Sequence, residues 1–244
     1  MDVTRDAGAQ VFKPQLLRRG MYRDGTKAAA LVAEYEVPDE WLVDLKGACI
    51  SRGLELMVTA YRAEDVPLID PFVKRHKVAG FDSQNRDLIE EIAKTEKPII
   101  VTFSLGNHEK SVIYPRPDVP DGSVALHGTS QYPTPPENMN MAWLRSVIGN
   151  SGRPWGLSDH SIGDTAAIMA VAMGATVIEK HIRHDQTHPA NPDYSAAMGS
   201  AEFTYYVDAI REAETMLGDG KKCVMPGEWT HYQFDPTTGR RGGD

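Results

Sequence analysis

What most constrains this chain is an alternation of short apolar runs with longer stretches of helical spacing. Seven runs occur, at residues 9–12, 54–59, 77–81, 98–103, 123–127, 155–158 and 175–181. Between them, apolar residues recur at helical intervals over 39–51, with Asp39 as cap, and over 63–75, 85–95, 138–149, 162–174 and 200–217. Parallel strands joined by crossover helices produce this pattern, so the class is α/β. Ile99, Ile100 and Val101 read as a strand buried on both faces. Two places break the alternation. Pro115, Pro117 and Pro120 disfavour a crossover helix between 105 and 122, so a loop is expected there. Pro14 cannot donate to a ladder, which ends the first run or puts it at a sheet edge.

At 244 residues the chain suits one large domain. The expected division is a barrel-type domain over 1–220 and a Gly-rich, polar, mobile tail over 221–244. Lys and Arg total 26 against 34 Asp and Glu, a net charge of −8 with the basic residues dispersed, which excludes the usual nucleic-acid and anionic-membrane binders. Cys49 and Cys223 are far apart in sequence, so free thiols and a cytoplasmic setting are expected. No run approaches the roughly 18 apolar residues of a membrane helix, and residues 1–12 lack a signal-peptide pattern.

Residues two apart on a strand share a face, which puts Val177, Glu179 and His181 on one side and Thr176, Ile178 and Lys180 on the other. The same period aligns Ser158 with His160. One helical segment separates the two runs, so a right-handed crossover makes the histidines neighbours. Two neutral imidazoles suit a divalent metal with open positions; hydrogen-bonded structural histidines are the alternative. His76, His108, His184, His188 and His231 are expected at the surface, and His127 has no clear place. Lys13 and Lys77 stand at strand tips, where a buried ammonium needs either an anionic ligand or a nearby carboxylate. Thr59, Thr102, Ser130 and Ser158 offer hydroxyls around them. No P-loop, no GxGxxG and no nucleophile elbow is present, which argues against nucleotide binding and hydrolysis.

Trp155-Gly-Leu-Ser-Asp-His160 and Gly174-Ala-Thr-Val-Ile-Glu-Lys-His181 closely resemble the SDH and IEKH segments of the sialic acid synthase (NeuB-like) family. Residues 126–135 resemble its LHC-x-x-x-YPTP segment, 76–80 its YKIAS, and 12–15, more weakly, its KFQ. The match runs in order over residues 7–227. It implies a TIM (β/α)₈-type barrel that here lacks the first strand and one crossover helix. The implied activity is a transferase reaction condensing phosphoenolpyruvate with an aldose such as N-acetylmannosamine to a 2-keto-3-deoxy sugar acid, with release of phosphate.

By the same resemblance, His160 and His181 would hold a divalent ion, Mn²⁺ or similar. Lys13, Thr59, Lys77, Thr102, Ser130 and Ser158 would surround phosphoenolpyruvate. Gln15, Tyr132, Glu179 and Asp193 would face the sugar and the metal-bound water, with Glu179, Lys13 and Lys77 as the catalytic set. The departures matter as well. The family's AEIG strand and its antifreeze-like domain have no counterpart, the segment from Asn191 differs from PDHKAS, and Gly80 stands where the family has a serine. An unclosed barrel makes a homodimer plausible. Two rivals remain: another phosphoenolpyruvate-dependent sugar condensing enzyme, or a catalytically weak remnant acting as a binding or scaffold subunit.

Overall fold

The computed structural model describes residues 1–104, 120–228 and 234–241. Most of the expected loop at 105–122, with His108 and His231, lies outside them. The chain opens with helix α1 (Asp2–Asp6) and strand β1 (Val11–Phe12), then helices α2 (Lys27–Tyr35) and α3 (Trp41–Ile50). Strands β2 (Glu55–Leu56) and β3 (Thr59–Ala60) are two halves of the second apolar run. Helix α4 (Val66–Ile69), strand β4 (His76–Val78), helix α5 (Arg86–Ala93) and strands β5 (Ile99–Phe103) and β6 (Val124–Gly128) follow. Helix α6 (Met141–Asn150), β7 (Trp155–Asp159), α7 (Thr165–Ala172), β8 (Ile178–Lys180) and the long α8 (Ser200–Leu217) complete the alternation.

All seven apolar runs become strands. Strands β3 to β8 form one parallel sheet in chain order, and β1 lies parallel to β2. Thr59 N donates to Pro14 O at 3.1 Å and Leu16 N to Thr59 O at 3.1 Å, so the β1 ladder continues past Pro14 alongside β3. Pro14 is tolerated because β1 is an edge. Among the described residues no ladder joins β8 to β1, and the arc is open there. Val3, Ala7 and Ala9 pack on that side with Ala167, Val171, Phe203, Tyr206 and Ile210 of α7 and α8.

Several local expectations need correction. Residues 63–75 form no single helix: α4 is flanked by 3₁₀ turns at Ala63–Asp65 and Asp70–Phe72. Pro67 and Pro71 explain this, since each fits only a first helical turn. Asp39 does not cap α3, whose N-cap is Glu40; the Asp39 carboxylate pairs with Arg18 instead. Within the tail, Phe234–Asp235 and Arg240–Arg241 pair as a short antiparallel hairpin.

Strand periodicity sorts the inward side chains into layers. At the bottom, Met57, Ile100, Val124 and Leu126 form an apolar floor with Val11 and Val177 packed against it. One step along the same strand faces come Lys13, Thr59, Thr102, Gly128, Ser158 and Glu179, and one step further Gln15, Tyr61, Ser104, Ser130, His160 and His181. Outward residues such as Ile99, Val101, Ala125, Trp155 and Leu157 pack in the clusters outside the strands.

Gly156 is required by this packing: a Cβ there would lie 2.1 Å from Val177 O and 2.7 Å from Leu126 Cδ2. Gly156→Ala is therefore expected to destabilise the fold by roughly 3 kcal/mol, read from the midpoint of denaturant unfolding. Gly47, helical and with open space around its Cβ position, is the control: Gly47→Ala should stabilise by about 0.5–1 kcal/mol. Equal effects at the two glycines would contradict the packing described.

Candidate active site

The site lies at the carboxyl ends of the strands, above the apolar floor. Its centre is Glu179, projecting inward from β8. Glu179 Oε1 lies 3.6 Å from Lys77 Nζ on β4 and Oε2 lies 3.7 Å from Lys13 Nζ beyond β1. Ser158 Oγ donates to Glu179 Oε1 at 2.8 Å. Burial alone would raise the Glu179 pKa, but Lys13, Lys77 and the Ser158 hydrogen bond outweigh it and hold the group down at about 2. Glu179 Oε2 accepts no hydrogen bond within the described residues although it is buried. Its ion pairs are longer than the ~2.7–2.9 Å of a charge-assisted hydrogen bond.

Lys77 is 2% exposed. Its ammonium donates to Thr102 Oγ1 at 2.8 Å and to Val78 O at 2.9 Å. Burial pulls its pKa down to about 8, with Glu179 opposing the fall and Lys13 adding to it. Lys13 Nζ reaches Thr59 Oγ1 at 3.3 Å. With both lysines protonated and Glu179 ionised, these three groups sum to +1 in a desolvated pocket. Such a pocket attracts a small multivalent anion. Gly128 keeps the floor of this ring open, because a Cβ there would stand 2.8 Å from Thr102 Cγ2 and 3.2 Å from Ser158 Cβ.

The two histidines stand one layer higher, their ring centroids 5.3 Å apart. His160 Nδ1 lies 2.8 Å from Thr129 O. A carbonyl can only accept, so Nδ1 carries the proton and Nε2 presents a lone pair. Burial lowers the pKa of both rings, which favours their neutral forms. Tyr132 stacks on His160 at 4.2 Å and meets His181 edge-on at 5.7 Å. Asp193 Oδ2 faces His181 Nδ1 at 3.5 Å and accepts from Gln15 Nε2 at 3.2 Å.

A buried network on the opposite face fixes these strands. Asp159 accepts from Ser161 N (2.8 Å), Ser161 Oγ (2.7 Å) and Tyr206 OH (2.8 Å), and its Oδ2 lies 3.4 Å from Lys180 Nζ. Lys180 also donates to Ser161 O. Asp159 and Lys180 thus face away from the pocket and brace the turn that carries His160 against the strand that carries His181.

All twelve residues singled out from the sequence lie on this rim or in the rings below it. Ser130 takes part through Ser104, to whose Oγ it donates at 2.6 Å. Sequence reasoning missed Ser104 and Tyr61. Tyr61 OH donates to Gln15 Oε1 at 2.5 Å. Each stands two residues beyond a hydroxyl already chosen, Thr102 or Thr59, so the strand period carried the signal. His76 is a correction: it is fully buried, with Nε2 3.0 Å from Asp70 Oδ1 below the sheet. His127 lies on the outer face, with Nε2 2.7 Å from Met139 O and its ring 5.0 Å from that of Trp143.

A model of the NeuB family matches residues 6–222. Pseudaminic acid synthase of Campylobacter jejuni is 34% identical over 86% of this chain and 62% of that protein. The N,N'-diacetyllegionaminic acid synthase of Legionella pneumophila is 32% identical over 70% of this chain and 50% of its own length. This chain thus spans between half and two thirds of those relatives. The N-acetylneuraminic acid synthetase of Leptospira borgpetersenii, solved with citrate, superposes with a TM-score of 0.80 at 23% identity, covering 93% of this chain and 81% of that one. A truncated 3-deoxy-D-arabino-heptulosonate 7-phosphate synthase from Thermotoga maritima shares the fold at a TM-score of 0.63 and 15% identity. On the family match and the identity to these synthases, the chain belongs to the NeuB family.

Proposed function

We propose that this chain condenses phosphoenolpyruvate with an aldose of the N-acetylmannosamine kind, consuming one water and yielding a 2-keto-3-deoxy sugar acid and inorganic phosphate. The observation that carries the reading is the Lys13–Glu179–Lys77 cluster beneath a pair of neutral imidazoles. The names of the relatives, synthases of pseudaminic and legionaminic acids, support it.

Lys13 and Lys77, with Thr59, Thr102 and Ser158, neutralise and orient the anion in a pocket whose floor excludes water. At about 4 Å, each ammonium–anion attraction is on the order of several kcal/mol at an effective dielectric near 20, more than a neutral hydroxyl supplies. Gln15 and Asp193 present acceptor and donor groups to the sugar hydroxyls. Glu179 Oε2, ion-paired with Lys13 but accepting no hydrogen bond within the described residues, accepts one from a hydroxyl of the acceptor or from the reacting water. Among the described residues no three His, Cys, Asp or Glu side chains are placed to hold one ion together, so a metal fits here only as an ion taking two protein ligands and leaving several positions to solvent and substrate. His160, through Nε2, and His181 would hold it. Bound there, a divalent ion such as Mn²⁺ would supply Lewis-acid polarisation of the open-chain aldehyde.

Phosphate release from phosphoenolpyruvate plus N-acetylmannosamine is expected to depend on Mn²⁺, to stop with chelator, and to fall at least 10³-fold, an order-of-magnitude figure, in His160→Ala or His181→Ala. Metal-independent release, or none with any of a panel of aldoses, would refute the reading. Turnover appearing only on addition of a second chain would favour the scaffold alternative.

The pH dependence has a definite sign. Lys77 faces Glu179 from β8, Lys13 from beside β1 and Thr102 from β5, and it loses its proton near pH 8 in the free site. Phosphoenolpyruvate affinity should therefore fall as pH rises through about 8, well below the ordinary lysine range. For folding the sign is opposite: the unfolded chain binds the extra proton between about 8 and 10.4, so this group makes stability rise with pH across that window. Calorimetric titrations at pH 7, 8 and 9 check the first statement; affinity flat to pH 10 would contradict it.

A further inference from the structure

We propose that the Ser104 hydroxyl is a further binding group for phosphoenolpyruvate, admitted to the pocket wall because residue 80 is glycine. The inference rests on the reading that the pocket takes this anion. Ser104 follows β5 two residues beyond Thr102, so both face inward. Thr102 Oγ1 accepts from Lys77 Nζ, which places this strand face against the cationic cluster.

A Cβ built on residue 80 would lie 2.0 Å from Ser104 Oγ and 3.0 Å from Ser104 Cβ. No side chain at 80 is compatible with the observed Ser104 rotamer. Gly80 is not among the glycines with positive φ, so backbone conformation does not demand glycine there. Space for the serine hydroxyl does.

Ser130 Oγ and Ser104 Oγ are 2.6 Å apart. One proton is shared within that pair; whichever hydroxyl provides it, the other keeps a proton, and among the described residues no acceptor for that second proton is found. Both side chains lie in the upper inward layer with His160 and His181, one step above the Thr102 hydroxyl. The pair is therefore a donor on the wall of a cationic pocket, and an anionic oxygen is the ligand that completes it.

The test is calorimetric titration of the purified chain with phosphoenolpyruvate, comparing the wild type with Ser104→Gly, Gly80→Ser and the double exchange. Loss of one hydrogen bond to a charged ligand predicts about a tenfold higher Kd for Ser104→Gly. Gly80→Ser alone should weaken binding through its clash with Ser104. The double exchange returns a hydroxyl to the same gap from the facing strand end and should recover to within roughly threefold of wild type, taken as half a kcal/mol or so. Wild-type affinity in Ser104→Gly, or a double exchange no tighter than the weaker single variant, would overturn the assignment. No binding by the wild-type chain would instead overturn the reading on which it rests.

Discussion

Three charges gathered inside one parallel sheet set the terms for the rest of the molecule. Glu179 comes from the last strand of the arc, Lys13 from beside the first, and Lys77 from β4, next to β3. Removing one member of a buried set of charges strands the others at a cost of several kcal/mol, so the three depend on one another. The cluster also has an architectural consequence. No ladder joins β8 to β1 among the described residues, yet Lys13 meets Glu179 and Gln15 meets Asp193 across that opening. Side chains bring the two edges together where backbone does not.

The cluster needs a dry floor and a braced roof. The floor is the apolar layer of Met57, Ile100, Val124 and Leu126, which keeps the local dielectric low and the electrostatics strong. The brace is the Asp159 network on the far face, which ties Ser161 and Lys180 to Tyr206 of α8. Helix α8 packs on the outer face of β8, and through Asp159 its position bears on the spacing of the two imidazoles inside. Function and packing are therefore coupled through a single strand pair, β7 and β8, whose alternate residues serve opposite faces.

Much of this was legible in the sequence because strand periodicity is rigid. Glu179 and Lys180 are adjacent, and alternation alone sends one to the pocket and the other to the helices, as observed. The seven apolar runs marked strands β1 to β8 for the same reason, the second run supplying both β2 and β3. Helical segments were harder, since Pro67 and Pro71 broke one that the spacing suggested, and α1, at five residues, is too short to show a clear stripe. His76 escaped because burial by tertiary packing leaves no local mark, and only its pairing with Asp70 makes a buried ring tolerable there. The Gly80–Ser104 relation was invisible for a similar cause: it joins residues 24 positions apart, on adjacent strand ends, and glycine reveals its purpose only when the neighbour filling its space is known.

The most direct check is a crystal structure of the chain with phosphoenolpyruvate and Mn²⁺. The ion should sit within about 2.0–2.2 Å of a ring nitrogen of both His160 and His181. The anion's oxygens should lie within about 3 Å of Lys13 Nζ and Lys77 Nζ, with Glu179 still between the two ammonium groups. An anion bound elsewhere, or an ion that touches neither imidazole, would contradict the account.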